Sequence, residues 1–333
     1  MHIDFNLSKK IISWYDNNKR NLPWRVSKKS PKKLYYRLLS EFMLQQTQVK
    51  TVLPFFKKFT KKYKNLESLS TSNEKDVLKL WEGLGYYRRA RNLLTTSKIL
   101  VNKFNSRLPK SRDEIKKLPG IGDYTASALF ALVHDRPSIA VDGNVKRVFS
   151  RILNKEIDRI NFEKFIKDNS KKLFYLKRNS DLVEALMEFG ALICKPKDPN
   201  CSDCCLKRNC KYLKSNSKIN FSRKKIIINK NYDIFCYINK DKKIALTQKN
   251  QISFLKNFNL PKVKESRSLK NNKDWKFLKN YKNSISNLRL NINLYYKFSD
   301  KIPPSYNWYS LKKNKEFMPS FTKNILRQVS TLF

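Results

Sequence analysis

Glu41 is a candidate for acid–base chemistry because of its position on a predicted helix. In the segment LYYRLLSEFMLQQTQV apolar residues recur at helical spacing. At about 100° per residue, Glu41 falls beside Leu34 and Leu38, at the margin of the apolar face. A carboxyl half buried among apolar groups has a raised pKa, which a general acid working near neutral pH requires. A buried glutamate that is hydrogen-bonded by Gln45 or a backbone group would give the same pattern.

The segment LPGIGDYTAS predicts a tight turn between two helices. Pro119 ends the first helix, Gly120 and Gly122 allow backbone angles that other residues disfavour, and Asp123 or Thr125 can cap the second helix. A turn of this kind shows backbone N–H groups at a helix N-terminus, where an anion such as a DNA phosphate can bind. An ordinary helix–helix turn would have the same residues.

Asp142 is a second candidate carboxylate, just before a Gly-Asn pair and a basic helix in VDGNVKRVFSR. A carboxylate in such a loop is usually a helix cap. The residue types around it leave open whether Asp142 caps the helix or acts on a ligand.

The charge of the chain points to a polyanionic partner. Lys and Arg number 72 against 27 Asp and Glu, which gives a net charge of +45 over 333 residues. Nucleic acid is the first partner to expect for such a charge, although a biased composition would also raise it. The N-terminal residues show no secretory signal or membrane span, and we expect a cytoplasmic, nucleoid-associated protein.

Two domains are expected from the length and from a change of pattern along the chain. Residues 1–213 are predicted to be mostly α-helical, residues 214–228 form a polar, basic linker, and residues 229–333 are predicted to be α+β. Within the last part, YDIFCYINKDKKIALTQKN predicts a hairpin and SISNLRLNINLYYKF alternates as a strand does.

A cysteine-rich segment, CKPKDPNCSDCCLKRNC, has the spacing C-x6-C-x2-C-x5-C. A disulfide framework is not expected in a cytoplasmic chain, and zinc ribbons usually have two C-x2-C pairs where this segment has one. Four thiolates suit a [4Fe-4S] cluster. Cys205 and Cys236 lie outside the pattern and are interpreted as structural or incidental. The predicted ligands are Cys194, Cys201, Cys204 and Cys210.

These motifs together resemble the endonuclease III superfamily of DNA base-excision glycosylases, and within it the MutY family of adenine DNA glycosylases. The matching segments, in family order, are WYDNNKRNLPWR, SEFMLQQTQV, WEGLGYYRRARNL, LPGIGDYTA, VDGNVKRV and MEFGALIC, followed by the cysteine loop. The resemblance implies a helix-hairpin-helix six-helix barrel and a helical domain with a [4Fe-4S] loop at 194–210. It also implies a Nudix-like lesion-recognition domain at 229–333, which is degenerate because no acidic Nudix box is present.

The resemblance also implies a mechanism for removing adenine. Glu41 would protonate the flipped-out base, and Asp142 would stabilise the sugar cation, with Asn144 orienting Asp142 or the sugar. Bifunctional relatives have a lysine at the position of Tyr124, and a phenol cannot form their Schiff base. Tyr124 therefore predicts a monofunctional glycosylase.

Further residues are assigned to DNA by the same resemblance. Gln46 would insert into the duplex and Tyr86 would wedge beside the oxidised guanine, although both could be helix-packing residues. The family's lesion-reading Phe-Ser-His is replaced here by ISN, in which Ser286 is retained and the histidine is not. The residues that match positions near the adenine pocket are Trp24, Arg25 and Glu188.

The expected partner is double-stranded DNA with adenine opposite 8-oxoguanine or guanine, bound by a monomer that does not associate with membranes. One alternative is an endonuclease III-like glycosylase and lyase for oxidised pyrimidines, against which Tyr124 argues. A non-catalytic iron–sulfur DNA-binding protein is a second alternative, and a zinc-binding architectural protein is a third. The joint presence of Glu41 and Asp142 argues against a non-catalytic protein.

Overall fold

The computed structural model divides the chain into two compact units. The structure describes residues 5–155, 161–215, 227–250, 252, 255–266, 274–285, 287–311 and 317–333. The first unit consists of residues 1–72 and 88–223, and the second of residues 73–87 and 224–333.

Helices make up the described secondary structure of the first unit, which confirms the prediction of a mostly α N-terminal part. None of the helices in the described chain combines the length and the apolar composition that a membrane crossing requires. The helices in chain order, of which α5 belongs to the second unit, are α1 (Phe5–Asn18), α2 (Lys33–Leu44), α3 (Val49–Lys62), α4 (Leu66–Ser70), α5 (Glu74–Leu80), α6 (Arg88–Phe104), α7 (Arg112–Lys116), α8 (Asp123–His134), α9 (Gly143–Leu153), α10 (Asn161–Asn169), α11 (Asn179–Leu192) and α12 (Lys211–Lys214).

One apolar core of the first unit lies where α1, α9 and α11 pack together. Trp14 of α1 meets Phe189 of α11 edge to face, with ring centroids 5.1 Å apart. Val148 and Phe149 of α9 are fully buried in the same cluster. Burial of these faces fixes α9 and α11 against each other, and the residues at their ends are thereby held in place.

The turn between α7 and α8 has the tight geometry that its glycines predict. Gly120 has a φ of +78°, and a Cβ placed on it would lie 2.6 Å from Nδ2 of Asn92 and 2.9 Å from Cε1 of Phe42. The expected capping is wrong in detail. The N-cap of α8 is Gly122 without a side-chain hydrogen bond, because the Asp123 carboxylate pairs instead with Lys116 at 3.0 Å.

The second unit contains a six-stranded sheet, which confirms the predicted α+β character. The strand order is β4-β5-β1-β2-β6, and β3 pairs with β1. The predicted hairpin is present because β1 and β2 are antiparallel neighbours, and the predicted alternating strand is β5. The elements are β1 (Ile228–Ile238), β2 (Lys243–Leu246), β3 (Lys262–Glu265), β4 (Lys276–Ile285), β5 (Leu288–Phe298), β6 (Asn307–Ser310) and α13 (Ser320–Val329).

One face of this sheet is apolar and buried. Alternate residues of its central strands, including Ile234 of β1 and Ile292 of β5, have no exposed surface. On the same side, Lys279 of β4 donates a hydrogen bond to Gln328 of α13 at 2.8 Å. The period-two alternation of β5 therefore separates a buried face from a polar one.

Gly120→Ala should lower the free energy of unfolding by about 2–4 kcal/mol, because a side chain at positive φ is strained and the new methyl group meets packed atoms. The matched control is Gly122→Ala, where a Cβ would meet no atom within 4 Å. The control should cost about 1 kcal/mol or less. Urea unfolding of both variants measures the difference, and equal losses would contradict the packing argument.

Candidate active site

A cleft of about 560 Å³ in the first unit collects most of the residues that the sequence predicts to be functional. Its wall is formed by α2, α8, α11 and the N-terminal end of α9. The predicted residues that line it are Trp24, Arg25, Glu41, Tyr124, Asp142, Asn144 and Glu188.

Glu41 is buried in this cleft and has no counter-ion of its own. Its side chain extends from α2, and the residue is 8% exposed. Burial raises the pKa of its carboxyl to about 7, the Arg37 guanidinium opposes that rise, and the Glu184 and Asp142 carboxylates add to it. Within the described part of the chain no donor forms a hydrogen bond with this carboxyl, so the expected alternative of a bond from Gln45 is not found. Glu41 can therefore hold a proton near neutral pH.

Asp142 is both the N-cap of α9 and part of the cleft wall. Its Oδ1 accepts a hydrogen bond from the backbone N–H of Val145 at 2.7 Å, and its Oδ2 accepts one from Nδ2 of Asn144 at 2.8 Å. Burial raises the pKa of this carboxyl, and the two hydrogen bonds oppose the rise. The capping and functional interpretations of Asp142 are thus compatible, since capping fixes the carboxylate at the edge of the cleft.

Tyr124 lies near both carboxylates. Burial raises the pKa of its phenol well above the usual range, and the negative charges of Glu41 and Asp142 raise it further. Its hydroxyl donates to Sδ of Met187 on α11 at 3.3 Å. The phenol therefore stays neutral near neutral pH, beside two acids.

Arginines neutralise the other two buried glutamates of the cleft. Although burial alone would raise the pKa of Glu184, Arg37 and Arg25 lower it, and the Tyr15 hydroxyl also donates to this carboxylate at 2.8 Å. Burial alone would also raise the pKa of Glu188. Hydrogen bonds from Arg20 and Arg25 outweigh this effect and lower the pKa to about 2.

The cleft wall also contains three residues that were not predicted from the sequence, Arg37, Glu184 and Arg20. Arg37 lies four residues before Glu41 on α2, and Glu184 lies four residues before Glu188 on α11. This i, i+4 spacing puts each pair on one helix face and is the signal that could have identified them. Which arginine pairs with which glutamate depends on the packing of α2 against the rest of the unit.

Arg147 connects the Asp142 loop with the last turn of α11. Its Nη2 donates to Oδ1 of Asn144 and to the carbonyl of Gly190, each at 2.7 Å, and its Nε donates to the carbonyl of Cys194 at 2.7 Å. A Cβ on Gly190 would lie 2.6 Å from Cβ of Asn144, so only glycine allows this approach.

The cysteine loop lies next to α9. Arg151 donates to Sγ of Cys194 at 3.3 Å, and Sγ of Cys210 contacts the carbonyl of Arg151 at 3.5 Å. Burial raises the pKa of the Cys204 thiol to about 12, with further contributions from neighbouring cysteines including Cys194 and Cys210. Burial also raises the pKa of the Cys210 thiol, and Cys194 and Cys201 raise it further.

The four cysteine thiols are a donor set consistent with an iron–sulfur cluster. Among the described residues, no three His, Cys, Asp or Glu side chains could hold one metal ion together. A [4Fe-4S] cluster binds each cysteine to a different iron, so its ligands do not converge on one point. Crowded, buried thiols favour the protonated form until a cationic centre stabilises the thiolates.

Other predicted residues lie away from the cleft wall. Gln46 follows α2 with a φ of 57°, and Arg89 holds the end of that helix by donating to the carbonyls of Met43 and Gln45. Tyr86, in the second unit, has a φ of 49° and is 43% exposed. Ser286 lies outside the described residues.

A larger cleft, of about 880 Å³, lies beside the C-terminal ends of α6 and α8. Its described lining includes one carboxylate, Glu114, together with cations such as Arg107 and Arg136. It has no pair of acids with separated pKa values, so the smaller cleft is the better candidate for catalysis.

Residues 39–173 match the HhH-GPD superfamily of base excision DNA repair proteins. The structure of a thermostable thymine-DNA glycosylase matches 63% of this chain and 96% of its own, with a TM-score of 0.54 and 26% identity. A trapped complex of endonuclease III with DNA gives a TM-score of 0.52 at 24% identity over 63% of this chain and 95% of its own, which supports the fold alone.

Among relatives, the adenine DNA glycosylase of Buchnera aphidicola subsp. Baizongia pistaciae is 37% identical over 319 residues, which are 90% of each chain. The adenine DNA glycosylase of Mus musculus is 35% identical over 208 residues, or 60% of this chain and 40% of its own. The chain belongs to the family of adenine DNA glycosylases.

The raised pKa of Glu41 predicts a pH-dependent penalty on stability. Because the folded-state value of about 7 exceeds the ordinary 4.5, the folded protein holds more protons between these values, and stability falls as the pH rises through this window. The unmodified protein should therefore lose stability between about pH 5 and pH 8. Glu41→Gln lacks the titrating carboxyl, and its loss over the same range should be smaller by about 2 kcal/mol. Urea unfolding at the two pH values measures it.

The matched control is Glu184→Gln. This change leaves Arg37 without its carboxylate partner, whereas Arg25 keeps Glu188, so it should destabilise the protein at about pH 8 by about 3–5 kcal/mol. A Glu41 variant with an unchanged pH dependence would show that the Glu41 carboxyl is already ionised at low pH.

Proposed function

We propose that this protein is a monofunctional adenine DNA glycosylase, which hydrolyses the N-glycosidic bond of adenine mispaired with 8-oxoguanine or guanine in double-stranded DNA. Its relatives carry the name adenine DNA glycosylase, and a related fold is known bound to DNA. The net charge of +45 favours the same partner. The product would be an abasic site.

The observation that carries the proposal is the different protonation of acids within one cleft. Glu41 has a pKa of about 7, whereas arginines hold Glu188 at about 2. An acid that keeps its proton near neutral pH, beside the carboxylate of Asp142, has the two functions that glycoside hydrolysis uses.

The proton on Glu41 drives departure of the base. With adenine flipped into the cleft, Glu41 donates its proton to N7, and the electrons of the C1′–N9 bond move onto the leaving base. Asp142 stabilises the resulting oxocarbenium ion or captures it briefly. Water then adds at C1′ and gives a proton to the Glu41 carboxylate, which returns to its starting state.

The neighbours of Asp142 orient it. Asn144 donates to one carboxylate oxygen and is itself held by Arg147. The neutral Tyr124 phenol adds a donor close to both acids and positions Asp142 and the sugar. Because a phenol forms no Schiff base, we infer that the strand stays intact after base removal. Lys50 also lines the cleft, and it would be the amine to examine if the strand were cut.

Recognition of the mispair would involve residues outside the catalytic pair. We propose that Gln46 inserts into the duplex, that Tyr86 wedges beside the oxidised guanine, and that the Gly120–Gly122 turn binds a DNA phosphate. Trp24, which packs on Phe56, would form the adenine pocket together with Arg25 and Glu188. In the second unit Ser286 would contact the lesion.

Cys194, Cys201, Cys204 and Cys210 are the residues that would hold a [4Fe-4S] cluster. Bound there, the cluster would fold the basic loop 194–210 against DNA, and the reaction would need no redox step from it. The contacts of Arg147 and Arg151 with Cys194 support this position, since they join the loop to α9.

We infer a six-helix barrel and cluster domain at 1–213, a linker at 214–228 and a degenerate Nudix-like lesion-recognition domain at 229–333. The protein would act as a monomer in the cytoplasm, on nucleoid DNA.

A single-turnover assay tests the activity. On a duplex with adenine opposite 8-oxoguanine, we expect breaks in the adenine strand only after alkali, because base removal alone leaves an alkali-labile site. A duplex with an oxidised pyrimidine should remain uncut. Breaks in that control without alkali, and none at adenine, would assign the protein to the endonuclease III type.

Asp142→Asn should lower the single-turnover rate of adenine release at least about a hundredfold, because the neutral amide no longer stabilises the sugar cation. Duplex binding, measured by fluorescence anisotropy, should persist. An undiminished excision rate would disprove the catalytic role of Asp142.

Two adjacent cysteines allow a matched test of the cluster. Cys204→Ser should lose visible absorption and iron, because one ligand is removed, whereas Cys205→Ser should retain both. Visible spectra and iron analysis of the purified proteins provide the measurement. Zinc in place of iron, or equal loss in both variants, would contradict the ligand assignment.

A further inference from the structure

The sheet of the second unit has a face that is distinct from its buried one. We call it the outer face and define it by the side chains that alternate with the buried ones on β4, β5, β1 and β3. The pairing aligns these side chains in rows across the four strands, for example Asn280–Asn293–Asp233–Lys264. Nothing in the proposed catalytic mechanism uses this surface.

Aromatic rings occupy one half of the outer face. Tyr295 stacks on Phe235 with ring centroids 5.2 Å apart and planes at 17°, and Phe277 meets the edge of Tyr295 at 5.6 Å. Trp275 lies against Phe235 and Tyr237, at 5.0 and 4.7 Å. Phe277 is 57% exposed although it adjoins this cluster. An exposed ring at the edge of a packed aromatic group is a platform on which another flat ring can stack.

Side-chain amides occupy the other half. Asn280 donates to Asn293, which donates to Asp233, and Asn291 donates to Asn231, all at 2.8 Å. These hydrogen bonds hold the amides in fixed orientations across three strands. Each amide retains further donor and acceptor capacity that can meet the edge of a base.

The charge of the outer face is positive. Its described cations have no ion-pair partner among the described residues, and its one described carboxylate, Asp233, is already hydrogen-bonded. Lys262 and Lys264 also line a cleft of about 470 Å³, together with Lys249, Tyr306 and Glu265, whose carboxylate pairs with Lys230. The cations of the outer face are Lys262, Lys264, Lys282, Arg289 and Lys297.

We propose that the outer face binds single-stranded DNA, with unpaired bases stacked on Phe277 and Tyr295 and phosphates held by the surrounding lysines. Aromatic platforms with flanking cations bind single strands because unpaired bases have free ring faces, whereas duplex bases are already stacked. An acidic protein would match the cations but not the exposed ring beside fixed amides. The proposal is independent of the catalytic assignments, since it concerns residues of the second unit alone.

The test compares two exposed phenylalanines on opposite faces of the same sheet. Phe277 on the outer face is 57% exposed, and Phe298 on the other face is 55% exposed. With the full chain at near-physiological salt, Phe277→Ala should weaken binding of a fluorescent oligo-dT by about fivefold or more. Phe298→Ala should change it by less than about twofold, and fully paired duplex should bind both variants alike.

Photocrosslinking gives a second readout that needs no variant. An oligonucleotide with 5-iodouracil should form adducts at Trp275, Phe277 or Tyr295 of the unmodified protein, identified by mass spectrometry. Equal losses of oligo-dT affinity in both variants, equal losses on single strand and duplex, or adducts confined to other surfaces would overturn the proposal.

Discussion

The site depends on how the buried charges of the first unit are paired. Four carboxylates line one cleft, and the arginines nearest to them hydrogen-bond two, Glu184 and Glu188. Glu41 forms no hydrogen bond with an arginine among the described residues. Burial and the Glu184 and Asp142 carboxylates raise its pKa, although the Arg37 guanidinium opposes the rise. The arginines therefore do more than stabilise the fold. By neutralising the other glutamates they limit the repulsion around Glu41, and the carboxyl can still release its proton near neutral pH.

Helix α9 connects this electrostatic arrangement with the cysteine loop. Asp142 caps its first turn, Arg147 on the next turn reaches Asn144 and Gly190, and Arg151 one turn later contacts Cys194. Three residues at i, i+5 and i+9 along one helix thus contact the cleft, the end of α11 and the loop. The close approach at Gly190 makes the arrangement rigid, because there is no space for a side chain between α11 and α9.

The second unit is organised by the alternation of side chains along its strands, and not by buried ion pairs. Period-two alternation along β1 and β5 buries one face of the sheet and leaves the other lined by amides, aromatic rings and cations. A polar strand face is ordinarily a solvated surface. The alignment of asparagines in hydrogen-bonded rows and the exposed ring beside a stacked pair make this face chemically specific.

Local patterns determined much of what this protein is. Apolar periodicity predicted a helical first part and a sheet in the second, and the order of short motifs identified the superfamily, because turns and caps depend on neighbouring residues. The same patterns identified Glu41, Asp142 and Tyr124 as candidate site residues.

Tertiary packing brings these three residues together in one cleft, since α2, α8 and α9 are distant in sequence. Packing also decided that Arg37 pairs with Glu184, that Asp123 binds Lys116 instead of capping α8, and that Phe277 lies exposed beside a ring cluster. Charge pairing and ring stacking over long sequence separations depend on distances in space, and a linear sequence does not contain those distances.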